Sequence, residues 1–185
     1  MLFEKIRRAY YSLMIKLLIY LIEGTRNTMT NLRGLMFKKK LEHVKSFAGD
    51  NLKVLKSPTL IASNVNRLTL GNSVNIGRHI VFDLKLGNIE VQNWVDLTHN
   101  VRIYGPAKIG NDVLIAENVT IGGTIHNATN ISDDVWIGAG SFVENGASIS
   151  KGVVIGAKSY VRASDELLAY GIYVGNPIRF IKYRL

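Results

Sequence analysis

Cysteine is absent from this 185-residue chain, proline occurs three times, and aromatic residues make up only 9% of it. Without cysteine, a disulfide framework and any thiolate-held zinc site are excluded, although the compartment stays open because many proteins simply lack the residue. A run long enough to span a membrane is also missing. The stretch AYYSLMIKLLIYLI at residues 9–22 falls short of the ~20 residues a bilayer requires and carries Ser12 and Lys16. No small-residue cleavage site accompanies it, which argues against a signal peptide. Nor is there a phosphate-cradling glycine loop or the aromatic-basic pattern of nucleic-acid binders, so nucleic acid is not expected as a partner.

Acidic residues are scarce at one end. Residues 1–56 hold 12 Lys/Arg and 4 Asp/Glu, a net +8, whereas residues 57–185 hold 11 and 10, a net +1. A basic segment therefore rides on a nearly neutral body. It suits either an anionic surface or an ordinary solvated helical face. A helix would put Leu2, Ile6, Tyr10, Leu13, Leu17 and Leu21 near one side, with Lys5, Arg8 and Lys16 elsewhere. That pattern fits lying on a membrane or packing on a neighbour. A second basic piece, NLRGLMFKKKLEHV, occupies residues 31–44. The chain thus divides into a basic amphipathic helical segment, 1–50, and a remainder, 51–185.

What fills the remainder is a period of six. From about residue 55 the chain reads LKSPTL, IASNVN, LGNSVN and IGRHIV, and later VQNWVD, LTHNVR, IYGPAK, IGNDVL, IAENVT and IGGTIH. This reading makes Leu55 and Ile61 inward residues. After a break come ISDDVW, IGAGSF, VENGAS, ISKGVV and IGAKSY. Such a period overrides residue-by-residue propensity. It describes a coil of short strands with positions one and five inward and Gly or Asn at the corners. One rung cannot bury its apolar edge alone, so rungs stack around a shared core. The array slips by three residues near Arg67–Thr69 and again near Leu86–Asn88. A third break, HNATN at 126–130, adds four residues after His126.

The repeated IGxxVx pattern, followed by DDVWIGAGSFV, VVIGAKS and YVGNPIRFIKYR, resembles the left-handed β-helix (hexapeptide-repeat) acyltransferases. Among them are the maltose, galactoside and xenobiotic acetyltransferases, serine acetyltransferase, and the O-acetyltransferases of capsule, colanic acid and O-antigen synthesis. The likeness covers residues 55–185. It implies an all-β, left-handed parallel β-helix with three six-residue faces per turn. It also implies a homotrimer that binds acetyl-coenzyme A in clefts between subunits.

Moving an acetyl group from a thioester to a hydroxyl needs a base for the hydroxyl proton, a task suited to histidine. Of the four histidines, His43 lies in the basic segment and His79 reads as a surface corner. His126 closes the hexad IGGTIH and opens the break, matching the place where the resemblance puts the catalytic histidine. His99, in LTHN, matches the catalytic histidine of serine acetyltransferase instead. Three hexads per turn would stack Arg78, His99 and Glu117, a ladder that could orient a second site histidine or be plain surface. By resemblance, Trp136, Gly138 and Ala139 of WIGAG, with Ala157 and Lys158 of IGAKS, meet the pantetheine arm. Arg179 of GNPIR reaches the coenzyme phosphates, as a guanidinium fork suits; Lys158 and Lys182 are further phosphate candidates on charge alone, and Arg162 stands in for a Lys that family members carry before GNP. Trp94 and Trp136 read as wall residues, Trp136 at a pocket-lining position. The γ-class carbonic anhydrases use this fold with three converging histidines, but their clustered His-x4-His spacing is lacking here, so no metal is expected.

The expectation is thus an acetyl-coenzyme A-dependent O-acetyltransferase acting on a sugar hydroxyl in the assembly of a bacterial surface polysaccharide. It would be cytoplasmic, or peripheral on the cytoplasmic face of the inner membrane. An N-acetyltransferase on an amino sugar or small amine, and a non-catalytic β-helix scaffold, are the alternatives.

Overall fold

Short strands of two to five residues recur along the chain, as a six-residue period with one inward side chain per strand requires. The computed structural model describes residues 24–42, 46–61, 64–123 and 127–184. Three faces carry the strands. Face A holds β1 (Phe47–Ala48), β4 (Leu68–Leu70), β7 (Ile89–Val91), β10 (Ala107–Ile109), β13 (Thr129–Ile131) and β16 (Ser148–Ile149). Face B holds β2 (Lys53–Val54), β5 (Asn75–Ile76), β8 (Asp96–Leu97), β11 (Leu114–Ile115), β14 (Trp136–Ile137), β17 (Val154–Ile155) and β19 (Gly171–Val174). Face C holds β3 (Thr59–Ile61), β6 (Val81–Asp83), β9 (Arg102–Tyr104), β12 (Thr120–Ile121), β15 (Phe142–Val143) and β18 (Tyr160–Val161). The pairing is parallel throughout, except that β20 (Arg179–Tyr183) runs antiparallel on β19. The chain is the expected parallel β-solenoid.

The core is a set of vertical columns. Val54, Ile76, Leu97, Ile115, Ile137 and Ile155 stack inside face B, and Phe82, Ile103, Ile121, Val143 and Val161 inside face C; all are essentially inaccessible. Each such side chain contributes ~1.5–3 kcal/mol on burial. Buried hydroxyls are satisfied along one column: Ser141 donates to the Gly156 carbonyl (3.0 Å), and Ser159 accepts from the Gly175 amide (2.9 Å). The pairing Val54–Ile76 and Leu60–Phe82 corrects the first rung, where Leu55 and Ile61 were expected inward. Adjacent aliphatics, Val54-Leu55 and Leu60-Ile61, satisfy a period of six in either phase, and only pairing with the next rung selects one. The same pairing starts the coil earlier than residue 55, at Phe47–Ala48.

Turn length is set by the corner between faces C and A. Ile89 pairs with Ala107 and Asn130 with Ser148, each 18 residues on. Phe47 pairs with Thr69 and Ala107 with Thr129, both 22 residues on, and Leu68 pairs with Ile89, 21 on. The first excursion is therefore four residues rather than three, and all three excursions leave at the same corner. The A-to-B corner instead repeats a left-handed residue in every turn: Asn51, Ser73, Trp94, Asp112, Asp134 and Gly152, with φ between 54° and 71°. The residues stacked just before them form an amide ladder, in which the Asn72, Asn93 and Asn111 amide N–H groups donate to Asn93, Asn111 and Asp133 oxygens.

Helical residues 24–42 (α1) cap the first rung. Thr30, Gly34, Phe37 and Leu41 face the coil, and a Cβ on Gly34 would lie 2.1 Å from the Leu52 carbonyl oxygen. Arg33 donates to the Leu55 carbonyl (2.7 Å), and Lys38 pairs with Asp50 (3.2 Å). At the other end Arg184 bonds the Asp134 and Gly152 carbonyls (both 2.9 Å), tying β20 to the A-to-B corner. Residues 1–23, and with them the apolar stripe from Leu2 to Leu21, lie outside the described residues. Among the described residues no helix is long and apolar enough to cross a membrane.

Removing one core column member tests the stacking. Ile103→Ala should cost ~2–5 kcal/mol, read as a lowered urea midpoint, because rungs above and below prevent collapse onto the cavity. The corner ladder has a pH signature. The Asn111 backbone N–H, then its side chain, hold the Asp133 carboxyl below the usual carboxylate range. A depressed carboxylate gives stability that is present above the unfolded pKa, about 3.9, and lost as pH falls through the folded value. Asn111→Ala should raise the Asp133 pKa in a carboxyl-carbon NMR titration.

Candidate functional site

Sequence-predicted site residues lie at two corners separated by face C and, for Trp136, Arg179 and Lys182, on the strands of face B and β20. At the B-to-C corner the register stacks Arg78, His99, Glu117, Ala139 and Ala157, since Asn75 pairs with Asp96, Asp96 with Leu114, Leu114 with Trp136, and Trp136 with Val154. His99 and the two coenzyme stretches thus share one edge, with Ala139 two rungs, or about 10 Å, beyond His99. The Arg78–His99–Glu117 ladder forms by register, and its hydrogen bond runs to a backbone amide. The Arg78 backbone N–H donates to His99 Nδ1 (3.0 Å). Its donor has no other role to play, so a neutral His99 carries its proton on Nε2. This is the contact that amide oxygens make at the A-to-B corner, and it supplies a structural reason for a residue with a ring nitrogen acceptor. It also occupies the lone pair that a base would use, and leaves His99 suited to donating a hydrogen bond.

A groove of about 650 Å³ runs along this edge, with His99, Thr98, Asp96, Asn75 and Glu117 on the coil side. Arg26, Asn27 and Thr30 of α1 form its other side. His79 stands apart as a surface corner: exposed, with φ 58°, its ring bonds Asn100 (3.2 Å) and Lys56 (3.1 Å). An ammonium can only donate, so Lys56 fixes Nε2 as acceptor and Nδ1 as donor.

Of the coenzyme candidates, Gly138 has a structural cause. A Cβ there would lie 2.5 Å from the Ala157 nitrogen, and its N–H donates to the Ile155 carbonyl (2.7 Å). The Trp136, Gly140, Gly156 and Lys158 amides likewise donate to neighbouring rungs. Ala139 and Ala157 lie at the turn between them, where a backbone donor can face outward. Lys158 (φ 56°), Arg162, Arg179 and Lys182 are exposed cations. Both tryptophans depart from the wall reading, with Trp94 60% and Trp136 51% accessible. Trp136 occupies an outward strand position, and Trp94 a corner.

The C-to-A corner carries the break. His126 itself lies outside the described residues, as does His43. The flanks are clear: the chain leaves the coil at Gly122–Gly123 and returns at Asn127, which lies against Gly146 of the next rung. Stacked on Gly122 by register are Tyr104 below, Glu144 above and then Arg162. Glu144 accepts from the Ala163 amide (2.8 Å) and the Tyr160 hydroxyl (3.4 Å), and Tyr160 stacks on Phe142 (5.3 Å, 6°). Loss of solvent, then the Glu144 charge, pushes the Tyr160 phenol up. Sequence reading missed Glu144 and Tyr160. Their signal was available in the register, which sets Glu144 directly over the origin of the break. Among the described residues no cluster of three or more His, Asp or Glu is placed to hold a metal ion.

Because Gly138 is packed against the next rung, Gly138→Ala should lower the thermal midpoint. If the same edge binds coenzyme, it should also weaken acetyl-coenzyme A in calorimetric titration.

A scan against protein-family models gives no match, and no curated protein matches the chain by sequence. Solved structures do match. A point mutant of AntD, an N-acyltransferase from Bacillus cereus in complex with dTDP and coenzyme A, shares 21% identity at a TM-score of 0.67, over 80% of this chain and 90% of its own. A hexapeptide transferase family protein from Anaplasma phagocytophilum shares 17% identity at 0.58, over 75% and 84%. The polysialic acid O-acetyltransferase OatWY shares 16% at 0.52, over 75% and 81%. What these likenesses show is the fold: a hexapeptide-repeat parallel β-solenoid matching that of the left-handed β-helix acyltransferases.

Proposed function

We propose that the chain is an acyltransferase that moves an acetyl group from acetyl-coenzyme A to a saccharide hydroxyl. The observation that carries this reading is the 22-residue turn. On a wall whose neighbouring turns take 18, four extra residues surround His126 one rung before the Trp136–Gly140 stretch. A release of the chain at that point frees a histidine from the wall. The donor supplies a thioester carbonyl open to attack. His126 takes the acceptor hydroxyl proton, so that the oxygen can form the new ester bond while the thiol leaves. An outward amide at Ala139 or Ala157 steadies the developing oxyanion. The backbone of WIGAG and IGAKS, with Trp136, Gly138, Ala139 and Ala157, lines the pantetheine path, Arg179, Lys158 and Lys182 meet the phosphates, and Arg162 is a further coenzyme contact. This set is chemically apt for the coenzyme, combining exposed cations for its phosphates with a backbone edge for its amide-rich arm.

A homotrimer completes the site. His99 and the His126 loop sit at different corners of one chain, and a second copy's corner brought against face C would unite them, with His99 Nε2–H orienting the acceptor. The outward rows support such packing. In the last three rungs face A shows Lys108, Asn130 and Ser148, whereas faces B and C show Leu114, Trp136, Val154, Thr120, Phe142 and Tyr160. N-acylation of an amino sugar is the second reading, favoured by the likeness to AntD in complex with dTDP-4-amino-4,6-dideoxyglucose and coenzyme A. A scaffold without catalysis is the outcome if no acceptor and no slow hydrolysis is found.

The two parts of the chain have separate tasks in this proposal: residues 51–185 catalyse, and the basic segment 1–50 holds the enzyme to the anionic cytoplasmic face of the inner membrane, where surface polysaccharide is assembled. Met29, Leu32 and Met36 support it, being half or more exposed on the side of α1 away from the coil. Apolar area with net positive charge is what gives interfacial binding. Because Phe37 and Leu41 belong to the core, the informative truncation removes residues 1–23 and adds Leu32→Ser and Met36→Ser. That variant should stay trimeric by light scattering and lose anionic liposomes in a flotation assay. Retained flotation would end the membrane reading.

Turnover of acetyl-coenzyme A with parallel sugar and amino-sugar acceptors tests the chemistry. His126→Ala should lower kcat ~10²–10⁴-fold with coenzyme affinity nearly unchanged. His99→Ala should cost less, and Arg179→Ala should raise the coenzyme KM more than it lowers kcat. Full activity in His126→Ala with loss in His99→Ala would move the base to the B-to-C corner.

A further inference from the structure

We propose a second saccharide-binding site, built on Trp94 in the groove between α1 and the first three rungs. It rests on a break in a local rule. The left-handed corner column from Asn51 to Gly152 is otherwise Asn, Ser, Asp or Gly, residues that accept positive φ at little cost. Trp94 sits in that column at φ 55° with its indole 60% accessible. Tyr170, the other bulky left-handed residue on this column, has a packing cause, because its ring covers Gly152. Trp94 is exposed, so burial does not explain it. His79 at the B-to-C corner shares the conformation, but its ring bonds Asn100 and Lys56. The Trp94 indole is instead presented to solvent in a column of Asn, Ser, Asp and Gly, which points to a functional position.

The surroundings name the ligand. The groove is about 750 Å³, and around Trp94 it offers Asn51, Ser73, Asn75, Asp50 and Asp96. Lys38, held on Asp50 Oδ1 (3.2 Å) and the Gly49 carbonyl (3.3 Å), closes one side. An aromatic face packs on the C–H face of a sugar ring, while short carboxylates, amides and a hydroxyl divide its ring hydroxyls between acceptors and donors. The Trp94 amide donates to the Asn72 carbonyl (3.0 Å), which fixes the platform's backbone before any ligand arrives. Asp50 and Asp96 balance Lys38 and Lys53, so the groove suits a neutral saccharide more than a polyanion.

The column position of Trp94 lies at the A-to-B corner near the α1 end, whereas the coenzyme candidates, on face B, at the B-to-C and C-to-A corners and on β20, all lie in later rungs. The groove shares Lys53, Asn75 and Asp96 with the groove beside His99, so it holds a flanking part of the glycan rather than its reacting hydroxyl. This deepens the saccharide reading above and depends on it for its purpose, but binding can be read without turnover.

The chain has two tryptophans, so the full-length Trp136→Phe protein reports on Trp94 alone. Titration with maltotetraose, cellotetraose and chitotetraose should give a saturable fluorescence change with at least one of them. In calorimetry with the natural chain, tetrasaccharide binding should persist with acetyl-coenzyme A present, and the corresponding monosaccharide should bind at least tenfold more weakly. In calorimetry, Trp94→Ala in the otherwise natural chain should lose the tetrasaccharide at least tenfold, and Trp94→Tyr should restore part of it. With a polymeric acceptor, Trp94→Ala should raise KM while leaving kcat, and leaving transfer to a monosaccharide acceptor, unchanged. No response to any of the three, or equal binding by Trp94→Ala, overturns the proposal. So does dissociation of the Trp94→Ala assembly in light scattering, which would make the indole an interface residue. Tetrasaccharide binding at Trp94 without acetyl transfer to any acceptor would instead sink the transferase reading and leave this site standing.

Discussion

Every feature of this molecule follows from the requirement that neighbouring rungs stack at the spacing of paired strands. Backbone groups of one turn find their partners only in the turns above and below, at about 4.8 Å. Side chains at inward positions must then form columns, and a residue too large for its column has nowhere to go. Corners bear the rest of the constraint. Gly77 shows how tightly, since a Cβ there would come within 2.1 Å of the Thr98 carbonyl oxygen.

Such a wall admits chemistry only where it is interrupted. Strand residues have their amides and carbonyls committed, and their inward side chains are core. What remains are outward rows, corner residues and excursions. The three excursions all leave at the C-to-A corner, and the first two support one another: Asn66 donates to the Leu84 carbonyl (2.7 Å), and the Arg67 amide to Asn88 Oδ1 (2.9 Å). The third comes two turns later, separated from them by the tight Gly105–Pro106 corner. Its point of departure, Gly122, stacks between Tyr104 and Glu144.

The corners also separate two kinds of polar residue that look alike in sequence. Asn93, Asn111 and Asp133 are ladder members whose oxygens accept the preceding rung's amides. His99 Nδ1 performs the same service for Arg78. A histidine in a repeat can thus owe its place to the wall, and its remaining nitrogen is what is left for function. Trp94 is the reverse case, a corner residue whose side chain is largely presented to solvent.

The sequence by itself determined the solenoid, because a period of six with aliphatic first positions has one economical way to bury its edges. It determined where the wall breaks, since Asn127 stands where an inward aliphatic was due, and it determined the corner role of His79. Phase was another matter. Val54-Leu55 and Leu60-Ile61 fit the period equally well, and only pairing with Ile76 and Phe82 chose between them. Likewise, spacing stacked Arg78, His99 and Glu117 correctly but could not say that a backbone amide, not the carboxylate, would take Nδ1. The exposure of Trp94, the Glu144–Tyr160 contact and the Arg184 tie depend on which groups meet across turns 18 to 22 residues long, or between the two ends of the chain. Those meetings are set by three-dimensional stacking, to which a linear period is blind.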